Sequence, residues 1–211
     1  MVYDYKTEPF AHQAEVLKKS WDKINWAYFL EMGTGKSKIA IDNAAILFER
    51  GEIDTFIVVA PKGVYRNWAN LELPAHMPDR IERDVVIWRP DPPKGHKQAL
   101  NDLLNASERL RVLVMNVEAL STSKGQRFLE ALLQASVAFL AVDESTSIKS
   151  PKARRTKSLI KLAGLAKYRR ILTGFPVTQS PMDLWAQCRF LDKSLLGDCG
   201  DNFFQFQYRY A

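Results

Sequence analysis

The sequence predicts an α/β fold with a mostly parallel central sheet and helices on both faces, and three observations predict it. Short apolar, β-branched runs recur without the polar alternation of a half-solvated sheet, which implies strands covered on both sides. Stretches with helical spacing of apolar residues separate those runs, giving the strand–helix rhythm of parallel pairing. Between one such run and one such helix lies the loop Gly33-Thr34-Gly35-Lys36-Ser37, the signature of a P-loop NTPase domain.

In chain order, a helix is expected over residues 11–22, followed by a buried strand over 25–30 (Asn25-Trp26-Ala27-Tyr28-Phe29-Leu30). After the glycine loop, Ile39, Ala40, Ala44, Leu47 and Phe48 recur at helical spacing and predict a helix over 36–50. Further strands are expected at 55–60, 84–88, 112–115, 137–142 and 170–172, with helices near 64–71, 97–105, 126–134, 154–162 and 182–191. The loose stretch Arg89-Pro90-Asp91-Pro92-Pro93-Lys94-Gly95 reads as a turn-rich link rather than a domain boundary. At 211 residues the chain suits a single domain spanning 1–211.

The glycine loop is a phosphate cradle. Small residues let consecutive backbone N–H groups converge on a triphosphate, so Met32, Gly33, Thr34 and Gly35 are candidate nucleotide contacts. Lys36 reaches the terminal phosphates, and the Ser37 hydroxyl is a candidate magnesium ligand. The strict pattern G-x-x-x-x-G-K-[ST] has glycine where this chain has Leu30, but strand, loop and helix follow one another as the motif requires.

Strand 137–142 delivers a second element, Asp143-Glu144, at its carboxyl end, where ligands of open α/β sheets sit. Asp143 is the candidate holder of the magnesium ion and Glu144 the candidate base that orients and deprotonates the attacking water. Capping of a following helix is the plainer use of such acids. Leu172-Thr173-Gly174-Phe175-Pro176 again follows a strand, and there Thr173 and Gly174 are candidates for sensing the phosphate site.

Composition is that of an ordinary globular protein, 46% hydrophobic and 26% charged, with a net charge of +6. The opening residues lack a signal-peptide core and no apolar run approaches the roughly 20 residues of a membrane span, so a cytoplasmic enzyme without membrane contact is expected. Two cysteines and three scattered histidines make neither a disulfide framework nor a zinc pattern. Positive charge is clustered: residues 145–182 contain no Asp or Glu but include Lys149, Lys152, Arg154, Arg155, Lys157 and Lys161. Such a segment favours a polyanion, or else is a solvated helix face.

Together these motifs resemble the first RecA-like lobe of superfamily-two helicases, above all the Swi/Snf-type DNA translocases. The family loop D-E-M-G-x-G-K-T is similar to Leu30-Glu31-Met32-Gly33-Thr34-Gly35-Lys36-Ser37, and it too lacks the first glycine. The family's L-T-G-T-P-x-x-N-x-x-x-E-L-W resembles residues 172–185, and its D-E-[AG]-H-x-x-K-N resembles residues 143–150. Pro61-Lys62-Gly63-Val64-Tyr65-Arg66-Asn67-Trp68 is similar to a family segment ending in an Asn/Gln-Trp pair. The resemblance covers nearly the whole chain.

It implies ATP with Mg2+ as the nucleotide, Gln13 at the adenine edge, and duplex DNA as partner through backbone contacts of little sequence specificity. Lys62, Arg66 and Asn116 fall in the segments that would touch DNA, with Lys149, Lys152 and Arg154 in the basic stretch beside them; Trp68 reads as a core residue. Thr146 stands where the family has histidine and Phe175 where it has threonine, so coupling of ATP turnover to DNA is expected to differ in detail. The resemblance further implies a second RecA-like lobe carrying arginine fingers. The crowding of Phe203, Phe204, Phe206, Tyr208 and Tyr210 near the carboxyl end suggests an apolar surface that such a lobe or a partner covers. An RNA helicase lobe, a non-catalytic nucleic-acid docking module and a small-molecule P-loop kinase are the alternatives. The compact motif set resembles versions carried by bacteria and their phages.

Overall fold

The computed structural model describes residues 3–210. Six strands form one parallel sheet: β1 (Asn25–Phe29), β2 (Thr55–Ala60), β3 (Arg83–Ile87), β4 (Leu110–Asn116), β5 (Ala138–Asp143) and β6 (Tyr168–Thr173), in the order β1-β6-β5-β2-β4-β3. The central strands β2, β4 and β5 are buried on both faces, which is why their sequences are unbroken apolar runs. One face is sealed by α1 (Ala11–Ser20) and α2 (Lys36–Glu49), around Leu17, Ile39, Ile41, Leu47, Phe56 and Phe139. The other is covered by α5 (Lys94–Asp102), α6 (Ser123–Gln134), α7 (Arg154–Ala163) and α8 (Asp183–Leu191), around Ile57, Leu113, Leu140, Leu159 and Phe190.

The register places the functional segments along one edge. Phe29 is opposite Thr173, Asp143 opposite Leu172, and Ala60 opposite Asn116, so the carboxyl ends of β1, β6, β5, β2 and β4 lie side by side. The phosphate loop, the acid pair and the Thr173-Gly174 segment each lie at or just after the carboxyl end of one of these strands.

Helix α5 runs over Lys94–Asp102 rather than 97–105, so it begins inside the stretch expected to be a loose link. Two other helices depart from their expected bounds for physical reasons. The helix expected over 64–71 runs on as α3 (Tyr65–Asn67), a π-helical turn over Trp68–Glu72 and α4 (Leu73–His76). Pro74, which normally ends a helix, sits directly after the π turn, in the first turn of α4. Helix α6 begins earlier than expected because Thr122 caps it, its hydroxyl accepting the Gly125 N–H at 3.1 Å. Several features fall outside the expected element set: 3₁₀ turns over Val117–Ser121 and Ser145–Ile148, a further pair over Lys193–Cys199 broken at Gly197, and α9 (Phe203–Tyr210), which packs Phe203 edge-on against Trp185 at 5.5 Å.

Candidate active site

The phosphate loop joins β1 to α2. Gly33 at φ 76° and Gly35 at φ 80° adopt left-handed backbone that side chains resist, which is why this loop needs glycine at both. Lys36 opens α2, placing the helix N-terminus and its unpaired N–H groups at the sheet edge. Its ammonium donates to the carbonyls of Leu30 and Glu31, each at 2.9 Å, and the Thr34 hydroxyl closes on Glu31 O at 2.7 Å. Ser37 follows half-buried, and Met32 projects into solvent.

Gln13 lies against this loop rather than on an exposed helix face. It is buried, its Oε1 accepting the Phe10 N–H at 3.0 Å and its Nε2 donating to Thr34 O at 2.9 Å. A Cβ on Gly35 would meet Gln13 Nε2 at 2.2 Å, so the close packing of these two residues is a second demand for glycine. An amide has two donors and two lone pairs, so one of each remains for a base edge.

The acid pair ends β5 beside the loop. Asp143 Oδ2 accepts the Trp68 indole N–H at 2.8 Å and Oδ1 the Glu144 backbone N–H at 2.9 Å. Burial raises the Asp143 carboxyl above its usual range; the Trp68 bond opposes that, the Glu144 charge adds to it, and the Lys36 ammonium lowers it. Lys36, Asp143, Glu144 and Trp68 therefore share one electrostatic environment. Glu144 carries φ 46° and ψ 61°, the left-handed backbone at a non-glycine residue unique among the described residues. Such strain costs on the order of 1–3 kcal/mol and marks a turn that its surroundings hold in place. The turn is held by the Ser147 N–H donating to Glu144 O at 2.8 Å and by the buried bond from Ser145 Oγ to Gln187 Oε1 at 2.6 Å.

Thr173 and Gly174 lie between these two elements, at the end of β6. The Thr173 hydroxyl, buried, accepts the Phe175 N–H at 3.2 Å. Gly174 touches the loop: a Cβ there would come within 3.3 Å of Met32 Cγ and 3.5 Å of Leu30 O. Gln187 on α8 joins this segment to the acid turn, its Nε2 donating to Pro176 O at 2.8 Å while Oε1 receives Ser145.

Lys62, Arg66 and Asn116 come together with Arg89 around a cleft of about 550 Å³ beyond β2 and β4. Asn116 spends its Oδ1 on the Ala119 N–H at 2.8 Å, capping the turn over Val117–Ser121, which leaves its NH₂ as the group that can face the cleft. In the basic stretch, Lys152 and Arg154 are exposed, and Arg154 reaches Ser123 Oγ at 3.3 Å, next to Thr122 in the cleft wall. Lys149, partly exposed, also makes contacts within the fold, donating to the Thr178 hydroxyl and lying 3.4 Å from Asp183 Oδ2. Burial alone would raise the Asp183 carboxyl, but the Thr178 hydroxyl and amide, the Gln179 amide and Lys149 outweigh it and hold it at about 2.

Sequence reasoning passed over Glu72. Burial raises its carboxyl, the Asp143 charge adds to this, and the nearby Ser37 hydroxyl opposes it, so this carboxylate lies close to the phosphate loop and the acid pair. A lone glutamate in a helix carries no signal of its own; here it is the last residue of the π turn. Trp68 is the core residue expected, its ring edge-on to Phe56 at 6.3 Å, but its indole N–H also serves Asp143. Among the described residues there is no group of three or more His, Cys, Asp or Glu arranged to hold a metal. No helix among them is long and apolar enough to cross a membrane.

The model of the SNF2-related domain matches residues 15–209. The chromatin-remodeling ATPase INO80 of Eremothecium gossypii is 30% identical over 192 residues, covering 85% of this chain and 12% of the relative. The probable ATP-dependent DNA helicase CHR12 of Arabidopsis thaliana is 28% identical over 163 residues, covering 76% of this chain and 14% of the relative. This chain thus spans a small part of the length of these relatives. The solved SWI2/SNF2 ATPase core of Sulfolobus solfataricus, in complex with double-stranded DNA, superposes with a TM-score of 0.75 over 96% of this chain and 39% of its own, at 21% identity. At that identity the likeness is one of fold, and the fold is RecA-like. With the match extending through nearly the whole sequence, this protein belongs to the SNF2-related domain family.

Proposed function

We propose that this chain is the ATP-binding lobe of a DNA-dependent ATPase that translocates on duplex DNA and couples hydrolysis to remodelling of DNA or of proteins bound to it. The observation that carries the reading is the convergence, at one sheet edge, of Lys36, Asp143 and Glu144, with the Lys62–Arg66–Asn116 cleft beyond the neighbouring strands. The names of the relatives, a chromatin-remodeling ATPase and an ATP-dependent DNA helicase, support it.

Backbone N–H groups of residues 33–37 and the Lys36 ammonium would take the phosphates, with Gln13 toward adenine. The Ser37 hydroxyl and the Asp143 carboxylate are hard oxygen donors that fit Mg2+, which commonly binds through one or two carboxylates plus substrate phosphates rather than through an all-protein cage. When bound, the ion neutralises charge developing on the phosphates. Glu144 would orient the water and take its proton as the water oxygen bonds to the γ-phosphorus and the bridging bond to ADP breaks. Lys62, Arg66, Lys152 and Arg154 would contact DNA phosphates, which position the duplex without reading its sequence. A second RecA-like lobe would add an arginine finger, worth about 10³–10⁵ in rate.

The test is ATPase activity of this chain and of a protein that also carries a second lobe, each with and without duplex DNA. The chain alone should turn over weakly, and the two-lobed protein should be stimulated by duplex DNA. Robust DNA-stimulated turnover by the chain alone would remove the need for a second lobe. Stimulation by single-stranded RNA in place of duplex DNA would establish the RNA helicase reading.

A further inference from the structure

One buried amide joins the acid turn to the segment that follows β6. Gln187, in the middle of α8, and Ser145, the residue after Glu144, are both fully buried, and they meet at 2.6 Å across 42 residues of sequence. The Gln187 Nε2 donates to Pro176 O and to Asp183 O, each at 2.8 Å. Carbonyl oxygens only accept, so these two partners fix which end of the amide is nitrogen. Oε1 is left to accept, and the Ser145 hydroxyl is its donor.

Glu144, with φ 46°, has left-handed backbone that persists at a non-glycine residue only where its surroundings hold it. The far end of its turn is held by α7, where Arg155 Nε donates to Ser147 O at 2.8 Å and the Thr156 hydroxyl donates to Ile148 O at 3.2 Å. The two bonds of the Glu144 backbone, from the Ser147 N–H and to Asp143 Oδ1, are local and move with the turn. Its near end is tied to another element through Ser145 and Gln187. We infer that Gln187 is a positioning residue for Glu144, holding through Ser145 the turn that aims the carboxylate at the attacking water, an inference that rests on the ATPase reading above. The same amide sets that turn against Pro176, three residues beyond Thr173. Without the tie, Glu144 relaxes toward right-handed backbone and its carboxylate swings out of line. Ser145 stands where the family pattern has Ala or Gly, whose side chains cannot make this bond, so the tie belongs to this chain's own residues.

The experiment uses the two-lobed protein with duplex DNA, reading kcat and the KM for ATP, with thermal melting of every variant. Ser145→Ala and Gln187→Leu should each lower kcat about 10-fold, the size of one ordinary hydrogen bond expressed in a barrier, and leave KM unchanged. Each single change strands a buried partner and should lower the melting temperature. The double variant strands neither, since Pro176 O lies at a part-buried contact where water can replace the amide, and its melting should recover toward wild type. Its kcat should stay at the level of the single variants, because the tie is still gone. If a single variant does not fold, the double variant decides alone. Wild-type kcat in the double variant, or a raised KM with kcat unchanged, would show a bond that serves stability or binding only and would overturn the inference. A wild-type two-lobed protein without DNA-stimulated turnover would instead overturn the ATPase reading itself.

Discussion

Glu144 and Asp183 illustrate how single residues are set by their neighbours. The left-handed Glu144 backbone aims its carboxylate from a turn tied down at both ends, so Glu144→Gln should preserve nucleotide binding while lowering hydrolysis about 10²–10⁴-fold in a DNA-stimulated assay. Asp183 gathers two amides, a hydroxyl and an ammonium, and Asp183→Asn should cost about 1–3 kcal/mol, read as a lower melting temperature. Its folded carboxyl lies at about 2, below the ordinary 3.8, so its contribution is complete above about pH 4 and is lost as pH falls through 2. The difference in melting temperature between the wild type and Asp183→Asn should therefore be constant at neutral pH and shrink in strong acid. The sequence named Glu144 from its place after an apolar strand. Asp183 went unnamed because its amide partners come from a turn whose shape no local pattern encodes.

At the scale of elements, Arg154 opens α7 and Lys152 lies in the turn just before it, both exposed, with Arg154 beside the wall of the Lys62–Arg66–Asn116 cleft. Replacing both by glutamate should weaken duplex binding across all sequences and reduce the slope of log affinity against log salt by about one per lost phosphate contact, measured by titration at several ionic strengths. The same change at Lys149 tests a different thing, since that side chain is bound to the Thr178–Asp183 turn. The basic run was legible from composition, but which of its members face outward depended on where Asp183 sits. The helix following β2 makes the same point. Its presence was legible from apolar spacing, yet the π turn that delivers Trp68 and Glu72 was hidden, because Pro74 signals a stop that the wider turn removes.

At the scale of the molecule, the sheet is the device that assembles the site. Phe139, near the start of β5, is fully buried, edge-on to Phe56 at 5.3 Å and beneath the Arg170 guanidinium at 5.1 Å. Phe139→Ala should cost about 3–5 kcal/mol in denaturant unfolding, and by loosening β5 it should also weaken nucleotide binding at the Asp143 end of that strand. Helix α9 leaves Phe204 and Tyr208 exposed while burying Phe206, so the aromatic run read from the sequence divides into a packed side and an open side.

What the sequence determined by itself was everything that local chemistry requires: glycines where φ is positive, Lys36 and Ser37 at a helix N-terminus, acids at the end of a buried strand, and apolar runs dense enough to demand a sheet covered on both faces. Only the tertiary structure decided the strand order, which sets β6 between β1 and β5 and so puts Gly174 against the phosphate loop. It also decided the partnership of Trp68 with Asp143, which joins residues far apart in the chain. The reason is that backbone conformation answers to neighbours in sequence, whereas a buried polar group answers to whatever partner packing brings within hydrogen-bonding distance.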